Sequence, residues 1–281
     1  MYYIQETDKP NPITKLFNIV QVKGDKLILP IGQEEIKTKK AERLAQKTIK
    51  ILEKTNSKKV VLSKQISKQE EYTNFLHSYG AKIIEGKWLF KALTLKVLDY
   101  IVEKKRLKKE ELQISMLINE IEPNMLENIK EIVKQYKRIN IVTNHFEKFK
   151  KIEQQIFDEY GIMITVTNNK KKSLSKSQLI LNVDFPKELI NKYRIFEEAI
   201  IVNLCGNVAI SSKRFNGVNI IDYEIDYTSD EEFDFDKNNL YDKKKIYEAH
   251  TYTNRTFDYL QKQFLNDKVK IRHLQASNSI L

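Results

Sequence analysis

One cysteine, seven glycines, five prolines and one tryptophan are all that this 281-residue chain holds of those four residue types. Each scarcity excludes something. A single thiol, Cys205, forms no internal disulfide and no cysteine-built metal centre, which fits a reducing, cytoplasmic setting. No apolar run approaches the roughly 18–20 residues that span a bilayer, so no membrane partner is expected. Met1–Pro12 is polar and lacks the basic-then-apolar order of a signal peptide. The patterns H-E-x-x-H and G-x-S-x-G and the P-loop are also missing, which removes the commonest sequence signs of zinc proteases, serine hydrolases and nucleotide triphosphatases.

What is present is an ordinary folded composition, 41% apolar and 31% charged. The length fits two medium cores better than one. The net charge of +11 is unevenly spread. Between Asp222 and Asp236 lie eight acids and no base, so that segment carries −8 and the remainder +19. A basic body points to an anionic partner such as nucleic acid. The abundance of Lys, Ile and Asn, typical of AT-rich coding, accounts for the same excess without any partner.

Short strand-like runs alternate with helix-like stretches along the chain. The first half reads as a strand at Lys26–Ile31, a helix with Ile36, Ala41, Leu44, Ala45, Ile49 and Leu52 on one face, and a strand at Lys59–Leu62. A helix over Lys68–Tyr79, a strand at Ala81–Ile84 and a helix from Trp88 to Lys104 follow. The second half repeats this grammar: strands at Gln113–Ile118, Arg138–Val142 and Ile162–Val166, with helices at Asn124–Tyr136 and Phe146–Tyr160. Leu179–Val183 and Ala199–Leu204 are apolar almost throughout, the mark of parallel strands covered on both faces. An offset of about 80 residues relates the Lys58–Ser63 and Arg138–Thr143 regions, as duplication would produce, though every β-α-β unit needs a helix stop before its next strand and convergence gives the same pattern. Past Leu204, a hairpin around Asn216-Gly217 is expected. The expected fold class is α/β, with two Rossmann-like β-α-β units, parallel sheets and a C-terminal helical extension. The expected divisions are an N-terminal α/β domain over 1–108, a Rossmann-like domain over 109–221, an acidic linker over 222–240 and a helical tail over 241–281.

The segment Gln113–Leu204 resembles the nucleotide-binding half of the shikimate dehydrogenase and glutamyl-tRNA reductase family. The resemblance rests on Ile139–Asn144 (INIVTN), Phe146–Ile156 (FEKFKKIEQQI) and Ser177–Asn182 (SQLILN). It implies a Rossmann fold and NAD or NADP as cofactor. Asn144 falls where the family has the asparagine of its Asn-Arg-Thr strand end, but His145 and Phe146 replace the arginine and threonine. Asn182 matches the end of a later strand, while Gln178 replaces its aspartate. The first strand departs most. A dinucleotide site needs G-x-G-x-x-G there, because Cβ atoms keep the backbone from the pyrophosphate. This chain has Asn119-Glu120-Ile121-Glu122-Pro123 instead. The first unit offers only Pro30-Ile31-Gly32-Gln33-Glu34-Glu35. Carboxylates at such a turn compete with a phosphate for the helix dipole.

Asn144, His145, Asn182 and Asp184 remain the candidate ligand-binding residues, all placed at the carboxyl edge of the second sheet, where open α/β sheets bind ligands. Each also has a plainer reading: a solvated histidine, or strand-end caps. His77 reads as structural, and His250 and His273 have no partner at metal spacing. Asp222, Glu224 and Asp226 alternate and would share a strand face, a hard-oxygen set for Mg²⁺ or Ca²⁺, or else the start of a solvated acidic linker. Basic clusters occur at Lys37–Lys54, Lys104–Lys109 and Lys170–Lys172. Cys205 reads as a buried apolar residue and not a nucleophile. No cofactor is therefore expected, and the leading reading is a non-catalytic Rossmann-like regulatory or interaction protein. Its partner would be another protein or a second copy, docked through the C-terminal region. The alternatives are an NAD- or NADP-dependent oxidoreductase and a nucleic-acid-binding protein.

Overall fold

The computed structural model describes residues 1–7, 11–32, 34–206, 208–210, 215–228, 239–252 and 256–277. The chain divides into two compact units, Met1–Gly86 with Ser229–Thr253 and Lys87–Thr228 with Asn254–Leu281. It therefore passes from the first unit to the second, back, and out again. The expected boundary at residue 108 falls instead at Gly86.

The first unit opens with β1 (Tyr2–Glu6), α1 (Pro12–Leu16), β2 (Gln21–Lys23) and β3 (Lys26–Leu29). Then come α2 (Thr38–Lys54), β4 (Lys59–Leu62), α3 (Lys64–Ser67), α4 (Glu70–Ser78) and β5 (Lys82–Ile83). Its sheet has the order β2-β3-β1-β4-β5. β1 lies parallel between β3 and β4, β4 and β5 are parallel, and β2 is antiparallel to β3. Successive side chains of a strand face opposite ways, and here both faces are covered. Ile4, Leu27, Val60 and Leu62 pack with Ala41, Leu44 and Leu52 of α2 and Tyr72 and Leu76 of α4. Tyr3 and Val61 pack with Tyr241 and Ile246 on the other side. Inside the first core the Tyr72 hydroxyl meets Thr48 Oγ1 at 2.8 Å, so the buried phenol is satisfied.

The second unit runs through α5 (Lys87–Ala92), α6 (Thr94–Lys105), β6 (Gln113–Leu117), α7 (Pro123–Gln135), β7 (Arg138–Val142), α8 (Phe146–Tyr160) and β8 (Thr165–Thr167). It continues through α9 (Lys170–Leu174), β9 (Leu179–Asn182), α10 (Lys187–Ile190), β10 (Ile200–Asn203) and β11 (Val218–Asp226). α11 (Lys243–Thr251) returns to the first unit, and α12 (Phe257–Asn266) and β12 (Lys270–Ala276) complete the second. The seven strands are ordered β12-β11-β10-β9-β6-β7-β8. All neighbours are parallel except β11 and β12. Every residue of β9 and β10 is buried, as their unbroken apolar runs require.

The α/β class and the parallel character of both sheets are as the sequence leads one to expect. Five local expectations are corrected. Met1–Pro12 contains the central strand of the first sheet: Tyr2-Tyr3-Ile4 is a strand-forming run, too short to stand out beside polar neighbours. The expected helix from Trp88 to Lys104 is two helices, both in the second unit. No hairpin forms at Asn216-Gly217, and β11 instead lies parallel to β10. The 241–281 tail is not wholly helical and not one piece. Lys270–Ala276 alternates exposed and buried positions and pairs antiparallel with β11, a period-2 signal that outweighs the neighbouring helical pattern. The first five residues of the expected 222–240 linker belong to β11, while Asp230–Asp236 lies outside the described residues.

Gly217 shows how tightly β11 is laid in. A Cβ there would sit 2.0 Å from the Ala199 carbonyl oxygen and 2.6 Å from the Phe215 ring, so only glycine admits the two backbones at this spacing. Gly217→Ala is expected to cost about 3 kcal/mol, the upper range for overpacking. Urea denaturation followed by circular dichroism checks this, and an unmoved midpoint would contradict it.

Candidate functional site

In the second unit the parallel order β8-β7-β6-β9-β10-β11 reverses direction between β6 and β9. That is the strand order of a doubly wound dinucleotide-binding sheet, whose ligand crevice opens at the carboxyl ends of the two strands flanking the reversal. Here those ends are Leu117 and Asn182, which are paired in register. The chain leaves β6 through Ile118, Asn119 and Glu120 and enters α7 at Pro123, its first-turn proline.

At this turn a dinucleotide's phosphate would meet backbone N–H groups. The structure fills the position with Asp184. Its Oδ1 and Oδ2 each accept from the Asn119 N–H at 2.9 Å, and Oδ2 also accepts from the Glu120 N–H at 2.7 Å. These are charge-assisted bonds, the stronger kind of backbone hydrogen bond. A half-buried carboxylate on the loop after β9 thus occupies the anion position of the β6–α7 turn.

The surrounding side chains lock the same turn. Asn119 Oδ1 accepts from the Asn144 N–H at 2.9 Å, joining the ends of β6 and β7. Glu120 pairs with Lys148 of α8 at 2.9 Å. That bond and the Lys148 charge hold the Glu120 carboxyl below the ordinary range, with a smaller contribution from His145. Glu122, at the start of α7, pairs with Lys91 at 2.7 Å.

Asn182 explains how Asp184 is aimed. Its amide is fully buried, with Oδ1 accepting from the Phe185 N–H at 2.9 Å and Nδ2 donating to the Phe185 carbonyl at 3.0 Å. The loop 182–185 is thereby closed on itself with Asp184 at its turn. Nδ2 also donates to Asn203 Oδ1 at 3.0 Å, and Asn203 Nδ2 donates to Asn219 Oδ1 at 2.6 Å. Asn219 Nδ2 in turn donates to the Val208 carbonyl and to Ser277 Oγ, at 2.9 and 2.7 Å. A row of buried amides therefore runs from the end of β9 across β10 and β11 to the residue after β12.

All four residues singled out from sequence lie at this edge, in different roles. Asp184 accepts from the turn, and Asn182 holds Asp184 in place. Asn144 contributes its backbone N–H, and its side chain is exposed. His145 is exposed at the start of α8, its N–H donating to Thr143 Oγ1 at 3.0 Å. Sequence reasoning missed the Asn119 and Glu120 amides as an anion seat, and it missed Asn203 and Asn219. The Leu-Ile-Leu-Asn and Ile-Ile-Val-Asn endings of β9 and β10 were the available signal, two matching strand ends 21 residues apart.

The other candidates resolve separately. Glu224 and Asp226 face His273 and Arg272 of β12 at 3.3 and 4.0 Å. Among the described residues, no group of three or more His, Cys, Asp or Glu side chains is placed to hold a metal. His250 Nε2 lies 3.0 Å from the Tyr3 hydroxyl, and His77 is exposed on α4. Lys104 and Lys105 end α6 inside the second unit and not between units, and Lys170–Lys172 open α9. Cys205 is half-buried, with the Asn182 amide 3.5 Å from its Sγ, and burial pushes its thiol up.

Strand order and turn together define a Rossmann-like α/β protein whose β6–α7 turn is occupied by its own Asp184. No helix among the described residues is long and apolar enough to cross a membrane. No protein-family model matches the chain, and no curated protein does. Among solved structures it is similar to the L-tryptophan dehydrogenase of Nostoc punctiforme, at 9% identity and a TM-score of 0.34, over 77% of this chain and 64% of that one. It is also similar to the ornithine carbamoyltransferase of Pyrococcus furiosus, at 11% identity and 0.29, over 72% and 71%. The ligand-free aspartate transcarbamoylase of Trypanosoma cruzi is matched at 12% and 0.29, over 75% and 74%. The chain thus spans less than two thirds of the dehydrogenase's length. At such scores these likenesses carry no argument, and the Rossmann-like reading rests on the strand order.

Two outcomes follow from this geometry. Asp184→Ala strands two backbone donors and is expected to cost about 2–3 kcal/mol. The Asn119 and Glu120 amides should then exchange with solvent faster, which amide hydrogen exchange by NMR reads directly, and unchanged rates would rule out the contact. Cys205 is expected to alkylate more slowly with iodoacetamide near neutral pH than a free thiol does, because the thiolate is the reactive form. Labelling at the free-thiol rate would contradict the burial.

Proposed function

We propose that this chain is a non-catalytic Rossmann-like protein that acts through partner binding, with its own carboxylate seated where a dinucleotide's phosphate would lie. One observation carries the reading: both Asp184 oxygens are engaged by the Asn119 and Glu120 N–H groups. A phosphate approaching the same turn would have to displace a bound anion tethered to β9 and would meet the Glu120 and Glu122 carboxylates beside it. The protein partner expected from sequence falls, on this reading, on α12, where Tyr259 and Leu265 stand exposed.

A second reading has support of its own. The strand order is that of a dinucleotide-binding sheet, and Asn144 and His145 are exposed at the end of β7, where the resemblance to the shikimate dehydrogenase family would put the cofactor's ribose end. An NAD- or NADP-dependent oxidoreductase is therefore the alternative. Thermal unfolding at millimolar NAD and NADP separates the two, because a ligand that binds only the folded state raises its midpoint. No shift is expected with either cofactor. A rise of several degrees would replace the interaction reading with the oxidoreductase.

A further inference from the structure

We propose that the first unit seats itself on an anionic lipid surface through the segment 12–22, with α2 supplying the cations that hold the headgroups. The inference is independent of the β6–β9 crevice. It starts from side chains that the fold leaves in water. α1 buries none of its residues. Ile13, Leu16 and Phe17 are 61%, 75% and 61% exposed, and Ile19 and Val22 are exposed beyond them. Five large apolar side chains within ten residues is a concentration that single scattered surface hydrophobes do not produce.

The second observation is electrostatic and lies on a different element. Lys40, Arg43, Lys47, Lys50 and Lys54 recur along α2 at alternating spacings of three and four, which sets them on one face of the helix. Like charges so spaced weaken a helix, and the opposite face of α2 is the apolar one that packs on the sheet. Lys47 Nζ donates to the carbonyls of Phe17 and Asn18 at 2.6 and 3.0 Å. The basic stripe and the apolar protrusion therefore form one surface. Lys15, within α1, is close enough for its charge to add to the lowering of the Lys40 ammonium's pKa, which burial mainly causes.

This pairing selects among occupants. A second copy of the chain would bring two basic stripes face to face. A nucleic-acid strand is gripped by cations interleaved with aromatic stacking platforms, whereas four of the five exposed apolar residues here are aliphatic. A five-residue helix that buries none of its own side chains offers no apolar groove for a peptide. An anionic bilayer surface takes both features at once, aliphatic side chains at the acyl boundary and Lys and Arg at the headgroups. Contact of this kind lies in the plane of the surface and needs no spanning helix.

The full chain is mixed with vesicles of equal parts phosphatidylcholine and phosphatidylglycerol, and with phosphatidylcholine vesicles alone, then sedimented. Binding to the anionic vesicles only, weakening as salt rises, is expected. Leu16→Ser with Phe17→Ser should weaken it about ten-fold or more. Both side chains are exposed and Lys47 holds Phe17 by its backbone carbonyl, so the variant is expected to keep the wild-type melting midpoint. Arg43→Gln with Lys50→Gln should weaken binding about five-fold per charge removed. No binding to either vesicle overturns the proposal, as does equal binding by the serine variant. A dimer dissociated by the serine substitutions, without vesicle binding, would assign the surface to a second copy. Binding of a single-stranded oligonucleotide that persists in the serine variant, again without vesicle binding, would assign it to nucleic acid.

Discussion

Backbone N–H groups at the mouth of a parallel sheet must find acceptors, and at the end of β6 two of them find the Asp184 carboxylate. Much of the local sequence follows from that contact. A pyrophosphate held by backbone amides requires glycine, because any Cβ would push it away. A carboxylate on a short side chain reaches in from the neighbouring strand and needs no such clearance. Asn119 and Glu120 can then carry side chains, and those side chains have other work: Asn119 ties β7 to β6, and Glu120 holds Lys148. The missing glycines are in this sense a consequence of an internal anion. The cause lies 65 residues downstream.

Such a contact holds only if the loop that presents it is fixed. Asn182 does this by binding both the N–H and the carbonyl of Phe185, and it is itself pinned by Asn203. Buried amides are costly unless their donors and acceptors are met. The row from Asn182 to Ser277 meets them mostly from one another and from adjacent carbonyls, so each residue's position depends on the next strand's register. That makes β12 more than an edge strand. Ser277, just beyond it, closes the row by accepting from Asn219, with its own N–H on the Asn219 carbonyl. Gly217 lets β11 lie close enough for the row to continue.

The parts of the fold legible in sequence are those whose signal is local and long. β9 and β10 show as unbroken apolar runs, α7 as a periodic stretch opened by Pro123, and α8 as a helix stopped by Gly161, whose φ of 66° suits glycine. β1 was hidden because five residues beginning Tyr-Tyr-Ile owe their place to pairing with β3 and β4 on either side, which no local window contains. The division at Gly86 was hidden for a like reason. α5 and α6 read as a natural close to the first unit, and only their packing assigns them to the second. At the site, residue types and strand ends placed Asn182 and Asp184 at one sheet edge, yet sequence position alone could not show that Asp184 faces a backbone turn and not open solvent.

The two surfaces of interest differ in what their polar and apolar groups still lack. At the β6–β9 edge the Asn119 and Glu120 N–H groups, the Asn182 and Asn203 amides and the Glu120 and Glu122 carboxylates are matched within the chain, while the Asn144 and His145 side chains are exposed. On the 12–22 segment the imbalance runs the other way: the backbone of α1 is capped by Asn11 at its start and held by Lys47 at its end, while its apolar side chains face water. A fold that spends two capping interactions on a five-residue helix fixes the position of those side chains without burying them. Local rigidity combined with exposed apolar area lowers the entropy lost on docking, since the presenting backbone is already ordered. The charge of the chain points the same way. The excess of +11 is placed in part as a single stripe beside that protrusion and not dispersed evenly, and a stripe attracts an extended anionic surface more strongly than the same cations spread over the molecule.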